Sequence, residues 1–279
     1  MKKMDTSRVI KQTAFYLSMI ILVVGWLAPI FFIVITSLKG MNEFYSKSVF
    51  SLPAVIRWEN FSDAWQLGHL STYIKNSSII TVCKIPLSIL LESITAFSLT
   101  RLKLKHSNLL FVFFLVGMMI PLQVLLVPLN IAITRLHLIN TYLGIIIIYT
   151  ATSMPFGILV MRGFFRTIPI AIDEAARIDG CSNLRLYWDV LFPIARPAVA
   201  TLVILEFLAT WNEFLFASLF ITDNEMRTIP QGLLQFFGEQ GAQYPLLSAG
   251  ILLSVIPVAL IYAFFQRYFV EGMAGAVKG

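Results

Sequence analysis

Residues Thr167–Pro197 read TIPIAIDEAARIDGCSNLRLYWDVLFPIARP. The stretch holds four acids, Asp173, Glu174, Asp179 and Asp189, and three arginines, Arg177, Arg185 and Arg196, between apolar runs on either side. It is too long and too polar for a simple turn between spans, and it has the character of a docking surface for a soluble partner at a membrane. Thr167 is a suitable N-cap and Pro169 fits a first helical turn. Ala171, Ala175 and Ile178 recur at spacings of four and three, so they share one helix face. Alanines there let another surface approach the backbone. Gly180 can stop the helix. In Asn183–Leu191, a second helical piece, Leu184, Tyr187, Trp188 and Leu191 form an apolar stripe, and Pro193 and Pro197 break the chain beyond it. An amphipathic linker lying on the membrane fits the same pattern, so the residues alone leave both readings open.

The remainder of the chain is mostly apolar. Of 279 residues, 58% are hydrophobic and 13% charged, against about 25% charged in an average soluble domain. Several windows of about 20 residues carry few or no charges, enough to cross roughly 30 Å of hydrocarbon as helix. This composition describes an integral membrane protein and excludes a soluble enzyme. The net charge of +6 is not a nucleic-acid signal: the basic residues gather beside the apolar runs, and no basic-aromatic groove pattern for single strands occurs. Two cysteines, Cys83 and Cys181, make neither a disulfide framework nor a metal cluster, and His69, His106 and His137 fall in three different loops. No metal site, no cofactor and no nucleic-acid partner is expected.

The expected fold is all-α, a single polytopic membrane domain over residues 1–279 with six transmembrane helices at about 14–36, 72–98, 108–129, 142–160, 198–220 and 245–265. The basic N-terminus leads into a span-length run with no short signal-type core, so the first span reads as uncleaved. With the N-terminus inside, the inner segments carry fourteen Lys and Arg and the outer segments and their borders six, Lys84 lying within the second span. That bias places both termini and the loop 167–197 in the cytoplasm of a multi-pass cell-membrane protein.

Charged and polar residues inside the spans are the remaining signals. Lys84 and Glu92 sit about two turns apart in the second span and can share a face, which makes a local salt bridge possible. Glu206 and Glu213, seven residues apart in the fifth span, can also share a face, with Asn212 beside it. Such groups line a translocation path or pack between helices, and both roles remain open for Glu206, Asn212 and Glu213. Prolines at 29, 86, 121, 128, 155 and 257 interrupt the spans, as in transporters with broken helices.

The run EAARIDGCSNLRLYWDVLFP resembles the EAA signature of the inner-membrane subunits of binding-protein-dependent ABC importers, through Glu174, Ala175, Ala176, Gly180, Val190, Phe192 and Pro193. WNEFLFA (Trp211–Ala217) and the C-terminal RYFVEGMAGAVKG are similar to the carbohydrate-uptake branch, the subunits that resemble the maltose permease component G. The resemblance implies a type I importer transmembrane domain, a second permease subunit, two ATP-binding ATPase subunits, an extracytoplasmic sugar-binding protein and a sugar substrate. It also implies that the EAA helix docks on the ATPase, with Glu174, Ala175, Ala176, Asp179, Gly180 and Pro193 as coupling residues. The tail Ala274, Gly275, Ala276, Val277, Lys278 and Gly279 is a further contact it suggests. The chain has no phosphate-binding loop of the form GxxxxGKS or GxxxxGKT, so it is not expected to be an enzyme, and ATP hydrolysis falls to a separate polypeptide. A carrier driven by an ion gradient is the alternative, but it would have no use for a long docking loop, and the two halves show no repeat. An importer permease for a non-sugar solute is the other.

Overall fold

Backbone N–H and C=O groups in hydrocarbon must be satisfied within their own segment, so long apolar runs become helices. The computed structural model describes residues 6–238 and 241–277, with side chains within 11–238 and 241–266. Helix α1 (Thr6–Ser37) is followed by two short helices, α2 (Met41–Ser46) and α3 (Glu59–Gln66), and by the long α4 (Leu70–Arg101). Next come α5 (Ser107–Met119), α6 (Leu122–Arg135), α7 (Tyr142–Thr167) and α8 (Ile170–Ile178). The chain then runs through α9 (Asn183–Arg185), a π-helical turn (Leu186–Leu191) and α10 (Phe192–Ile194) into α11 (Arg196–Trp211) and α12 (Leu215–Phe220). Helices α13 (Ile229–Leu233) and α14 (Tyr244–Val277) complete the chain. The only strands among the described residues are an antiparallel pair of two residues each, β1 (Phe237–Gly238) and β2 (Gly241–Ala242).

Four helices are long and apolar enough to cross a membrane: Lys11–Ser37, Leu70–Arg101, Tyr142–Thr167 and Tyr244–Gln266. Two bent pairs, Ser107–Met119 with Leu122–Arg135 and Asn183–Ile194 with Arg196–Trp211, raise the number to six if each pair is one span. The protein is thus a multi-pass membrane protein. The first pair bends by 101°, because Ile120 is extended (ψ 119°) ahead of Pro121, which has no N–H to give the ladder. The second bends by 74° at Ala195, just before Pro197 in the first turn of α11.

One compact unit comprises Met1–Leu70 and Leu233–Val255. Within it the fully buried Lys39 ammonium donates to the carbonyls of Ser48 and Val49 and to Ser51 Oγ. Asn60 Nδ2 donates to the carbonyls of Ser37 and Lys39, at 2.8 Å each. Phe44 stacks on Tyr244 with centroids 5.0 Å apart, and Tyr45 donates to the Ala242 carbonyl. The Ala54 N–H and the Lys47 ammonium hold the Glu43 carboxyl below the usual carboxylate range.

The second unit comprises Ser71–Gly232 and Ile256–Gly279. Its core joins Ile80 of α4, Ile133 of α6, Ile145, Ile148 and Tyr149 of α7, and Phe216 and Phe220 of α12. Asn76 fastens α4 to the loop between α12 and α13 by donating to the carbonyls of Glu225 and Arg227, and it accepts from Tyr142 OH at 2.8 Å. Residues 198–220, expected as one span, contain two helices: α11 ends at Trp211, and Glu213 turns back to accept the N–H groups of Phe216 and Ala217 at the start of α12.

Candidate functional site

Helix α8 starts two residues later than its sequence suggests. Thr167 does not cap it; its hydroxyl donates back to the Phe164 carbonyl and so finishes α7, and Pro169 takes the N-cap position. The end matches the glycine rule. Gly180 N–H reaches the Arg177 carbonyl at 3.1 Å and Cys181 N–H the Ala176 carbonyl at 2.9 Å, the paired bonds of a Schellman motif, with Gly180 at φ +80°. No heavy atom lies within 4 Å of where a Gly180 Cβ would be, so backbone conformation rather than space calls for glycine there.

The helix shows one face and anchors the other. Ala171, Glu174, Ala175 and Asp179 are exposed, as are Ile170 and Ile178. Asp173 and Ala176 are buried behind them. The anchor is Arg101, the last residue of α4. Its Nη2 donates to the Phe165 and Ile168 carbonyls at 2.7 Å each, and its Nε lies 3.4 Å from Asp173 Oδ2. One guanidinium therefore closes the C-terminal end of α7 and holds the first turn of α8, using the planar fork of donors that arginine provides.

Beyond Gly180, Ser182 caps the next helical piece by accepting from the Arg185 N–H. The expected stripe of Leu184, Tyr187, Trp188 and Leu191 is replaced by Leu186, Tyr187 and Leu191 as the buried set, while Leu184 and Trp188 are exposed. The cause is the π-helical turn at Leu186–Leu191, which adds a residue to the turn and rotates the side chains off the 3.6-residue period. Tyr187 OH meets Ser93 Oγ of α4 at 2.7 Å. Pro193 is half-buried within α10.

The polar residues inside the spans gather elsewhere in the same unit. Lys84 pairs with Glu206 of α11 at 2.8 Å, 122 residues away, and not with Glu92 as their spacing suggests. Lys84, Glu92 and Glu206 are all buried. Glu92 accepts from Ser153 Oγ at 3.1 Å and packs against Gly157 of α7, where a Cβ would lie 1.9 Å from the Glu92 Cδ. Glu213, off the end of α11, accepts from Tyr149 OH at 2.5 Å in addition to its two backbone N–H groups. Lys84, Tyr149, Thr152, Ser153, Thr210 and Glu213 line an open cavity of about 240 Å3, together with Leu122, Ala209 and Phe216. Asn212 is exposed and bonds its own helix at the Leu208 carbonyl, and it is not among the residues that line the cavity with Glu213. The sequence missed Gly157, Tyr149 and Ser153. A glycine opposite a charged residue was the one available signal, and it cannot be paired across helices without a fold. Ala274, Gly275, Ala276 and Val277 continue the backbone of α14, whereas Lys278 and Gly279 lie outside the described residues.

Residues 84–275 match the family described as binding-protein-dependent transport system inner membrane component. A chain of Caldicellulosiruptor sp. (strain Rt8B.4), described as an ABC transporter permease protein, is 36% identical over 90% of this chain and 91% of its own length. The melibiose/raffinose/stachyose import permease protein MelC of Bacillus subtilis (strain 168) is 34% identical over 90% of this chain and 91% of its own. In fold, a chain from the crystal structure of a bacterial ABC transporter involved in the import of the acidic polysaccharide alginate aligns with a TM-score of 0.82. It does so over 96% of this chain and 100% of that one, at 23% identity. With a transport-family match across the loop, the cavity and the helices that carry them, the chain belongs to the inner membrane components of binding-protein-dependent transport systems.

Proposed function

We propose that this chain is the permease subunit of an ABC importer for sugars, in the carbohydrate-uptake branch. It forms the translocation path with a second permease subunit and takes its driving force from a pair of ATPase subunits, α8 docking in a cleft of the ATPase. An extracytoplasmic binding protein delivers the solute. The observation that carries this reading is the exposed face of α8, with Ile178 87% exposed, held from behind by the Arg101 clamp. An apolar side chain so exposed beside small residues and acids is the pattern of a surface that another protein covers. Glu174, Ala175, Ala176, Asp179, Gly180 and Pro193 are the coupling residues on this reading. The tail from Ala274 to Gly279 is a second ATPase contact. Glu206 and Glu213 belong to the path, and Asn212 stands at its edge.

In this reading the six spans leave both termini and α8 in the cytoplasm, supported by the excess of Lys and Arg in the inner segments. ATP-driven closure of the partners then shifts the permease between states through α8, a population shift and not a chemical step. The sugar assignment is supported by relatives such as MelC, whose name gives melibiose, raffinose and stachyose, and by the alginate transporter that shares the fold. Those two leave open whether the solute is uncharged or acidic.

Purification of the full-length chain from native membranes, with identification of the co-purifying subunits, tests the proposal. The expected result is an ATPase and a second permease in the complex, both transport and ATPase association being lost in Gly180→Asp while the chain still inserts. Labelling of Glu174→Cys by a membrane-impermeant reagent from outside the cell would overturn it. So would sugar uptake by this chain with no ATPase present.

A further inference from the structure

The cavity beside Lys84 lies where two interruptions of helix meet. Leu122 opens α6 just after the break at Pro121, and Glu213 occupies the gap between α11 and α12. Helix breaks of this kind sit near the solute site in many membrane transporters. Lys84 is also close to the middle of the 32-residue α4. Polar groups at such a position line a water-filled cavity or pair with one another.

The charges around this cavity are unequal. One ammonium, Lys84, is set against two carboxyl groups: Glu213, which shares the lining with it, and Glu206, which pairs with it at 2.8 Å. Glu213 accepts three hydrogen bonds, from Tyr149 OH and from the N–H groups of Phe216 and Ala217. That is the chemistry of an ionised, acceptor-only carboxylate. Lys84 has three N–H donors and spends one on Glu206. The lining therefore offers a hydroxyl group both acceptors and donors, inside a field that is negative on balance. The cavity, at about 240 Å3, is smaller than the roughly 300–1,000 Å3 of pockets for drug-sized ligands, so it takes one ring-sized group.

We infer that this cavity is a charge filter on the solute path: it passes one uncharged, polyhydroxylated ring at a time and turns away carboxylated or sulfonated sugars. This rests on the importer reading above and resolves the choice that reading leaves between uncharged and acidic solutes. The carboxyl excess acts through low-dielectric walls, where it repels an anion more strongly than it would in water. The uncharged ring meets no such barrier, and its hydroxyls replace lost water bonds with those of Lys84, Glu213 and the serine and threonine hydroxyls.

The test uses the full-length chain in native membrane vesicles, with Cys83→Ser and Cys181→Ser removing the natural thiols. Thr152→Cys and, separately, Thr210→Cys place a thiol on the cavity wall. Each is treated with methanethiosulfonates bearing a trimethylammonium, a carboxamide or a sulfonate head, and rates are normalised to those on free cysteine. The expected result is modification by the cationic and uncharged reagents, with the sulfonate slower by about tenfold or more. Glu213→Gln is expected to narrow that difference and Lys84→Met to widen it. A sulfonate rate equal to the uncharged rate at both positions overturns the inference, as does failure of all three reagents at both positions. Labelling is read without transport. Loss of ATPase partners with the rate ratios intact counts against the proposed function alone, and intact sugar uptake with equal rates counts against the filter alone.

Discussion

The outer face of α8 and the cavity beside Lys84 break the ordinary burial rule in opposite directions. On α8 an isoleucine, Ile178, is 87% exposed and an acid, Asp173, is 6% exposed; within the long helices α4 and α11, Lys84 and Glu206 are each 2% exposed. Covering an exposed apolar side chain is favourable, and on the proposed reading the ATPase does this at α8. A buried charge is expensive until it is paired, and Lys84, Glu206 and Glu92 hold one another in a place where leucine would be more stable. Natural sequences give up stability in this way at sites of function. On the proposed reading one inversion is resolved between proteins; the other is resolved inside the chain.

The largest effect is expected on the inner side. Lys84→Met leaves Glu206 without its ammonium and should lower the stability of the purified chain by about 4 kcal/mol, read by thermal unfolding in detergent. Lys84→Met with Glu206→Met should recover most of that loss; no recovery would show that Lys84 does not stabilise by pairing. Gly157→Ala comes next. Its new Cβ meets the Glu92 carboxyl at 1.9 Å, and overpacking of that kind should cost about 3 kcal/mol, with Glu92→Ala in the same chain relieving it. At the back of α8, Arg101→Ala strands two carbonyls and Asp173, for about 2 kcal/mol, and Arg101→Lys should restore only part, because a single ammonium cannot reproduce the fork. Ile178→Ser, on the outer face, should move stability by no more than about 0.5 kcal/mol yet abolish co-purification of the ATPase. A large drop in melting temperature for Ile178→Ser would erase the contrast between the two regions.

The sequence made the long helices legible where one apolar run carries on through its proline, as in α1 past Pro29 and α7 past Pro155, and it made α8 legible through its alanine spacing and Gly180. It could not reveal which charge answers which. Lys84 and Glu92 are near in sequence and compatible with one helix face, so local spacing favours them. The actual partner, Glu206, is set by how α4 and α11 lie together, which no local pattern encodes. The end of α11 was hidden for a related reason. Glu213 accepts from residues three and four positions ahead, an interval that a continuous helix would also allow. The π-helical turn was illegible because its side chains follow a period that the 3.6-residue template does not contain.

Arg101 has a consequence for time as well as for structure. A surface loop free of anchors fluctuates in nanoseconds to microseconds, but a helix whose first turn is bound through one side chain to the ends of two long spans cannot travel by itself. Either the guanidinium lets go of three oxygens, or α4 and α7 move with α8 as a lever. The second course turns a small push at the surface into a slow collective swing, in the microsecond-to-millisecond range of domain motions. A chain built this way trades speed for fidelity, because thermal jitter at its edge is not passed inward.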